Sequence, residues 1–599
     1  MRNNFYLLVC IIISVLLSTY AWKLININFG NTEIIGDYFV NKHHALNDPV
    51  RYITFILIPV VAFSFFSIFY RKEKFSIERI KFENLEKTND LNTLFFLNIT
   101  ILFLIFLEFF SLSFPLSQID IYHEGQKLSA PFKSIIDGKL WSGSFVTTGI
   151  INENLGIKFI WEIFNHQSIG LMRFLHLFYI FIFKISLIIL IYLITKNVSI
   201  NLNNKLIFFL IISLISISLI DYDLNSGNAF SYRDIPIIFS LILFLKYLEN
   251  VKHSYLPLIL IGFLSVVTFF WSIDRALVLN LLVISMSVFI LINKEMKSLM
   301  IIFFSIIISW FLFYFYLGDE FKLFYENLIS VLQNQNYIHG IIHPQPFSEM
   351  PNSTRATKSL LLIALSLIIS LSFIFNKQEK YNNNFKIIII LLSFLSFCAY
   401  IYALGRSDGG HIKQTTGPLI LFFSVIIFFD LIKYSQNFLQ KKFLISKLST
   451  FFTLILFVIF FVSLTFNYKN IISYSKRFKQ YVYLEDRNFL SEDQNYLVQN
   501  LKPSLKNFDC IQLFTYDAAL PYLLKKPNCT RFYFIYSLGS IEDQKSLIKE
   551  MKDVNFVIYS GQTDNWGFSP QKKLTIVNKY INSEFSNNDK ILDWEIKYK

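Results

Sequence analysis

Charge is scarce in this chain of 599 residues. Only 16% of its residues are Asp, Glu, Lys or Arg, against roughly 25% in soluble domains. That deficit, combined with 68 Phe residues, excludes a disordered chain and an ordinary cytosolic enzyme. Glycine (19) and proline (14) are scarce, which excludes collagen-like and proline-rich architectures. Cysteine is rarer still, four in all, with no CxxC pair and no Cys/His quartet, so a structural zinc site is not expected. The chain has no internal repeat of fixed period, and no pair of broken helices of the kind that marks many secondary transporters.

What is abundant is apolar sequence: 54% of residues, with a mean hydropathy of +0.47. A bilayer core about 30 Å thick needs roughly 20 apolar residues per helix. About 13 stretches of the chain approach that length, near 5–22, 52–70, 92–114, 174–195, 204–220, 235–247, 255–271, 277–293, 298–317, 359–375, 386–404, 415–433 and 450–466. The expected fold is therefore a polytopic α-helical membrane protein. The first stretch has only Arg2 before it and no clear small-x-small cleavage site after Ser18 and Ala21, so it reads as an uncleaved helix. Net charge is +13, which in a membrane protein points first to cytoplasmic lysines; no nucleic-acid partner is expected. Arg71, Lys72, Lys74, Arg79, Lys81 and Lys87 lie between the second and third stretches, and other connections of the same parity carry further lysines, whereas the short connections of opposite parity carry far fewer. The positive-inside rule then puts the N-terminus in the cytoplasm and everything after about residue 467 outside, as in the periplasm of a bacterial inner membrane.

Three parts follow: residues 1–91, two N-terminal helices and a basic cytoplasmic loop; 92–466, a transmembrane module with exterior loops 117–172 and 318–358; and an exterior tail, 467–599. The tail alternates strand-like runs (Cys510–Phe514, Arg531–Ile535, Asn555–Tyr559) with helical ones (Ala518–Leu524, Ile541–Met551, Pro570–Ile581), predicting a small α/β domain with a parallel sheet covered on both faces. No glycine fingerprint follows its first strand, so nucleotide binding is unsupported. Cys10 and Cys398 fall in membrane stretches and read as inert; Cys510 and Cys529 share the exterior tail, where they either form a disulfide or stay as two thiols.

The polar residues concentrate where apolar runs end. Asp120, His123 and Glu124 follow the third stretch; Asp120 and Glu124 share a face if helical, as base, acid or metal ligands, or simply as a helix cap with a solvated turn. Asp221 and Asp223 form a DxD triplet suited to a divalent cation or a sugar, and Arg233–Asp234 precede the next apolar run. Asp274–Arg275 sit in a very short connection, where a guanidinium is costly unless it meets an anion or snorkels. Arg406, Asp408 and His411 lie in the glycine-rich segment GRSDGGH, which allows close backbone approach but lacks the Lys-Ser/Thr ending of a Walker loop. His339 and His343 have helical metal-ligand spacing, but no third ligand is nearby and Pro344 interrupts. Deeper in the apolar runs, Glu108 and Lys184 are predicted to pair.

The segments DIYHEGQ, SYRDIP, WSIDR and GRSDGGHI, with the tail segment CIQLFTYDAALPYLLKKPNCTRFY, resemble the GT-C class of membrane glycosyltransferases, which includes the protein mannosyltransferases and aminoarabinose transferases. The likeness spans most of residues 92–599, and two extra helices precede the acidic loop, whereas many members place it after the first helix. It implies inverting transfer of a sugar from a polyprenyl-phosphate donor to a glycan, lipid or protein acceptor at the exterior membrane surface. Asp120 would be the base, with Glu124 its rival, while Arg275, Arg406 and His411 would hold the phosphate and Asp223 and Asp234 orient sugar or acceptor. Members differ in metal dependence, so a divalent cation is left open. The competing readings are a flippase or transporter of lipid-linked sugars, an O-antigen-type polymerase or ligase, and a non-catalytic scaffold.

Overall fold

The structure, a computed structural model, describes residues 2–29, 44–70, 91–112, 114–200, 202–219, 230–249, 254–334, 345–351, 353–375, 381–404, 409–439, 458, 461–462, 464–538, 540–560 and 569–599. The apolar runs fold as helices: α1 (Arg2–Leu24), α2 (Asn47–Tyr70) and α3 (Leu91–Ser111) come first. An extramembrane stretch follows, with α4 (His123–Asp137), a π-helical turn (Ile151–Leu155) and α5 (Gly156–Phe164). Then come α6 (Ile169–Lys196), α7 (Leu202–Ser218), α8 (Ile235–Glu249), α9 (Leu256–Trp271), α10 (Ile273–Ile292), α11 (Met296–Leu317), α12 (Glu320–Asn334), α13 (Ser353–Phe375), α14 (Asn383–Leu404), α15 (Gly409–Thr415) and α16 (Gly417–Leu439). Among the described residues, eight helices are long and apolar enough to cross a membrane, and three shorter apolar ones accompany them. The stretch expected at 450–466 lies mostly outside the described residues.

Exposed apolar side chains confirm the solvent. Phe303, Phe304, Ile308, Phe311 and Phe315 stand outward from α11, and Leu8, Ile12, Leu16 and Leu17 from α1. Such continuous apolar faces are not tolerated in water but suit lipid. The helix ends separate into two polar layers. At one, Lys196 pairs with Glu249 (2.9 Å), Asn382 donates to the Asn197 carbonyl (2.7 Å) and Tyr247 to Ser298 (2.8 Å). At the other, Trp271 donates to the Arg233 carbonyl (3.1 Å), Arg233 reaches Tyr402 (3.3 Å), and Arg477 of the tail donates to the carbonyls of Phe110 and Leu112. The groups around Asp120, Arg233 and Asp274 belong to this second end. Between the layers, Lys184 meets Glu108 at 2.9 Å, the pairing expected from two charges stranded in apolar sequence.

The tail contributes α17 (Tyr474–Val482), α18 (Glu492–Ser504), β1 (Gln512–Phe514), α19 (Leu520–Leu523), α20 (Ile541–Glu550), β2 (Phe556–Ser560), α21 (Pro570–Lys573), α22 (Thr575–Glu584), β3 (Asn587–Ile591) and β4 (Trp594–Tyr598). Its sheet has the order β1-β2-β4-β3. Only β1 and β2 are parallel; β4 runs antiparallel to both its neighbours, so the sheet is mixed rather than parallel as expected. The run Arg531–Ile535 is not a strand. The Arg531 carbonyl accepts from Phe145 N–H (2.8 Å), the Arg531 N–H donates to Glu550 (3.0 Å), and Phe532 packs on Phe145. Its apolar side chains are thus spent on the extramembrane loop, not on a sheet. Cys510 and Cys529 are disulfide-bonded.

One hydrophobic core runs from the tail sheet (Leu513, Val557, Ile558) through Trp141 and Phe145 to Phe270 on α9 and Phe324 on α12. The tail is therefore packed into the membrane module. Close approach makes this contact specific: a Cβ on Gly125 would lie 2.6 Å from Ala519 N, and one on Gly149 would strike the Trp271 carbonyl. Next to the first contact, Asp517 is fully buried, accepting from Ala519 N–H (3.2 Å) and the Gln494 amide (3.5 Å). Burial outweighs these donors and pushes its carboxyl up to about 7 from an ordinary 3.8. The folded chain holds a proton that the unfolded chain releases, so this group's contribution to stability is full below about pH 4 and lost as pH rises through about 7. Asp517→Asn should flatten the fall in melting temperature between about pH 4 and about pH 7; an unaltered slope in the variant contradicts the assignment.

Candidate active site

The site begins with Arg173, in the first turns of α6. Its guanidinium is buried and grips Glu124 through two contacts, Nε to Oε1 at 2.7 Å and Nη2 to Oε2 at 2.9 Å. The remaining donors gather the carbonyls of Pro115 (3.0 Å), Ser117 (2.9 Å) and Gln118 (3.3 Å). One cation thereby folds the whole approach to Asp120. Glu124 in turn accepts the Asp120 N–H (2.9 Å).

Asp120 caps α4. Oδ1 accepts from Tyr122 N–H (2.9 Å) and His123 N–H (3.1 Å), and Oδ2 lies 2.8 Å from His123 Nδ1. Its side chain is 20% exposed and that of His123 67%. Burial alone would raise the carboxyl, but the His123 imidazole and the two backbone donors outweigh it and hold the group below its usual range. Asp120 is thus an ionised, partly exposed carboxylate, whereas both oxygens of Glu124 are committed to Arg173.

A second group forms where α8, α9, α10 and α14 end. Ser231 and Asp234 make a reciprocal capping box at the start of α8. Arg275 is buried, with Nε 2.6 Å from Asp234 and Nη1 3.0 Å from Asp274, and Arg233 lies 3.6 Å from Asp274. Ser272 donates to Asp274 (2.5 Å). Tyr402 lies under both guanidiniums, at 4.8 Å from Arg275 and 5.6 Å from Arg233, and stacks obliquely on His411 (5.8 Å between centroids). Two cations here face two carboxylates, so the group is close to neutral.

The two groups meet through Lys127, one turn beyond His123 and Glu124 on α4. Its Nζ donates to Tyr232 Oη (3.1 Å), and Tyr232 adjoins Arg233. The Tyr232 ring is fixed between Tyr179 (5.9 Å) and His176 (5.6 Å), and Tyr179 packs on Trp271 (5.0 Å). Beneath them, buried Glu153 anchors the loop. It accepts from the Thr147 and Thr148 N–H groups, from Thr148 Oγ1 (2.6 Å) and from Tyr533 of the tail (3.2 Å), while Thr148 O accepts the Ile273 N–H (2.6 Å) beside Asp274. Burial raises the Glu153 carboxyl, and the Thr148 donors oppose that shift.

The structure thus gathers Asp120, His123 and Glu124 into one group and Arg233, Asp234, Asp274, Arg275 and His411 into another beside it. Asp221, Asp223, Arg406, Asp408, His339 and His343 lie outside the described residues. Among the described residues no group of three or more metal-ligating side chains occurs. Sequence reasoning missed Arg173, Lys127, Glu153 and Tyr402. Arg173 had a signal, an arginine at the head of an apolar run; Tyr402 had none.

No family model matches the sequence, and no curated protein matches it. Among solved structures, the chain is similar to ArnT from Cupriavidus metallidurans in the apo state, at 9% identity and a TM-score of 0.40, over 85% of this chain and 98% of that one. A likeness so distant leaves the chemistry to be argued from the site.

Removing one partner of a buried ion pair costs about 3–5 kcal/mol, because the other charge stays buried alone. Glu124→Ala should therefore lower the melting temperature strongly, and Glu124→Leu combined with Arg173→Met should recover much of the loss. A Glu124→Ala protein that melts like the wild type contradicts the role given to the pair.

Proposed function

We propose that this protein is a membrane glycosyltransferase that moves a sugar from a polyprenyl-phosphate donor to an acceptor hydroxyl at the exterior end of the bundle. The observation that carries the reading is Asp120: a carboxylate kept ionised and partly exposed at the water end of a lipid-facing bundle, with cationic side chains alongside. A lipid-linked donor suits such a boundary. Its isoprenoid stays among apolar helices and its phosphate reaches the polar layer. Asp120 takes the proton of the acceptor hydroxyl, whose oxygen attacks the anomeric carbon from the face opposite the phosphate. The bond from that carbon to the phosphate oxygen breaks, its electron pair leaves with the polyprenyl phosphate, and the anomeric configuration inverts.

The reading gives the other residues distinct work. Glu124 is held by Arg173 and acts as a positioning residue for Asp120, not as the base. Arg233, Asp234, Asp274 and Arg275 lock the helix ends that wall the site, with Tyr402 and His411 at their edge. Arg406 and Asp408, and the Asp221–Asp223 pair, belong by sequence to the loops bordering the same end. The disulfide between Cys510 and Cys529 supports an oxidising exterior compartment for the tail, as the lysine distribution does.

A positioned carboxylate contributes about 10²–10⁴-fold to such a transfer. With purified protein, a lipid-linked sugar and an acceptor, Asp120→Asn should cut turnover by that order while donor binding persists. Normal transfer by both Asp120→Asn and Glu124→Gln contradicts the proposal.

A further inference from the structure

The leaving phosphate gains negative charge as its bond to the sugar breaks, so some cation of the site must be free to meet it. Most of the described arginines are not. Arg173 is charge-paired with Glu124, Arg233 faces Asp274 and Tyr402, and Arg275 is charge-paired with Asp234 and Asp274, its Nη2 being buried without a hydrogen-bond partner. Lysines nearby are also committed: Lys133 donates to the carbonyls of Asn528 and Thr530, and Lys158 pairs with Glu162. Lys127 differs. It is half-buried, its Nζ donates to the neutral Tyr232 hydroxyl at 3.1 Å and lies 5.6 Å from that ring, and no carboxylate pairs with it among the described residues.

Its position fits the need. Residues 120, 123, 124 and 127 recur at helical spacing around the start of α4, so Lys127 follows the carboxylate along one face. Tyr232 leads directly into Arg233, so Lys127 stands at the seam between the acidic group and the guanidinium group. The anchoring of Tyr232 by Tyr179 and His176 fixes the ammonium in turn. An ammonium has three donors, and one of them satisfies Tyr232. In accepting that bond the tyrosine keeps its own hydrogen for a neighbouring anion. A half-desolvated charge of this kind is worth far more than one in water.

Resting on the transferase reading above, we infer that Lys127 is a catalytic residue: it holds the donor's phosphate and stabilises the oxygen that receives the electron pair of the broken sugar–phosphate bond. Tyr232 is its positioning residue and supplies a second donor. The donor class this implies is a lipid phosphate monoester on departure, seated between α4 and the start of α8.

The test measures binding of decaprenyl phosphate and of decaprenol, its unphosphorylated alcohol, to the full-length protein in lipid nanodiscs. Wild-type protein should prefer the phosphate by about tenfold or more, the scale of one charge-assisted contact. Lys127→Met should lose most of that preference while still binding decaprenol, Lys127→Arg should keep part of it, and Lys158→Met should behave as wild type. Decaprenol binding by Lys127→Met shows that the variant is folded. If Lys127→Met keeps the full preference, Lys127 is not the ligand and the lipid-phosphate reading stands without it. If wild type itself shows no preference for the phosphate, that reading and this inference fall together.

Discussion

The Arg173–Glu124 pair is the interaction on which the rest of this end of the molecule depends. A guanidinium entering an apolar bundle must be compensated, and Glu124 supplies the charge while three loop carbonyls take the remaining donors. That single requirement fixes the path of residues 115–120 and the start of α4. Once α4 is set, Asp120 has no freedom to turn away, because its Oδ1 accepts the Tyr122 and His123 N–H groups at the entry to that helix. A structural obligation therefore delivers the carboxylate to the rim in an ionised state. Its capping role and the proposed chemistry do not compete, since both require the same protonation state.

The tail works as part of the same device. Its sheet shares a hydrophobic core with the extramembrane loop and the ends of α9 and α12. Ser129 and Lys133, on α4, donate to the carbonyls of Ala518, Asn528 and Thr530, and Tyr533 reaches Glu153 under the loop that touches Ile273. The helix that carries His123, Glu124 and Lys127 is thus held from the membrane side by Arg173 and from the water side by the tail. Such support on two sides is what keeps charged groups within hydrogen-bond reach of one another at a boundary where solvent and lipid both compete.

The helices could be read from sequence because length and apolarity are local properties, and lipid demands both over a whole span. Glu108 and Lys184 could be matched for the same reason: each is conspicuous in apolar surroundings, and they meet at 2.9 Å. The acidic clusters were visible, but their partners were not. Arg173 lies 49 residues from Glu124, and Tyr402 lies 169 from Arg233. Nothing local distinguishes such a tyrosine from any other. In the tail, β3 was missed because Asn587–Ile591 is a polar, mostly exposed edge strand with no apolar alternation to reveal it. The reverse error came from Arg531–Ile535, where apolar β-rich sequence serves contacts with another part of the chain.

The central claim is that carboxylates meet the charges of Arg173, Arg233 and Arg275, while Asp120 and Lys127 stand ready for a lipid-borne phosphate and its sugar. An experimentally determined structure of the protein in nanodiscs loaded with decaprenyl phosphate tests it most directly. The account predicts density for the phosphate within hydrogen-bond distance of Lys127 Nζ, on the Asp120 side of Tyr232, with the chain running down among the helices. Phosphate density at the opposite polar layer, beside Lys196 and Glu249, would contradict it.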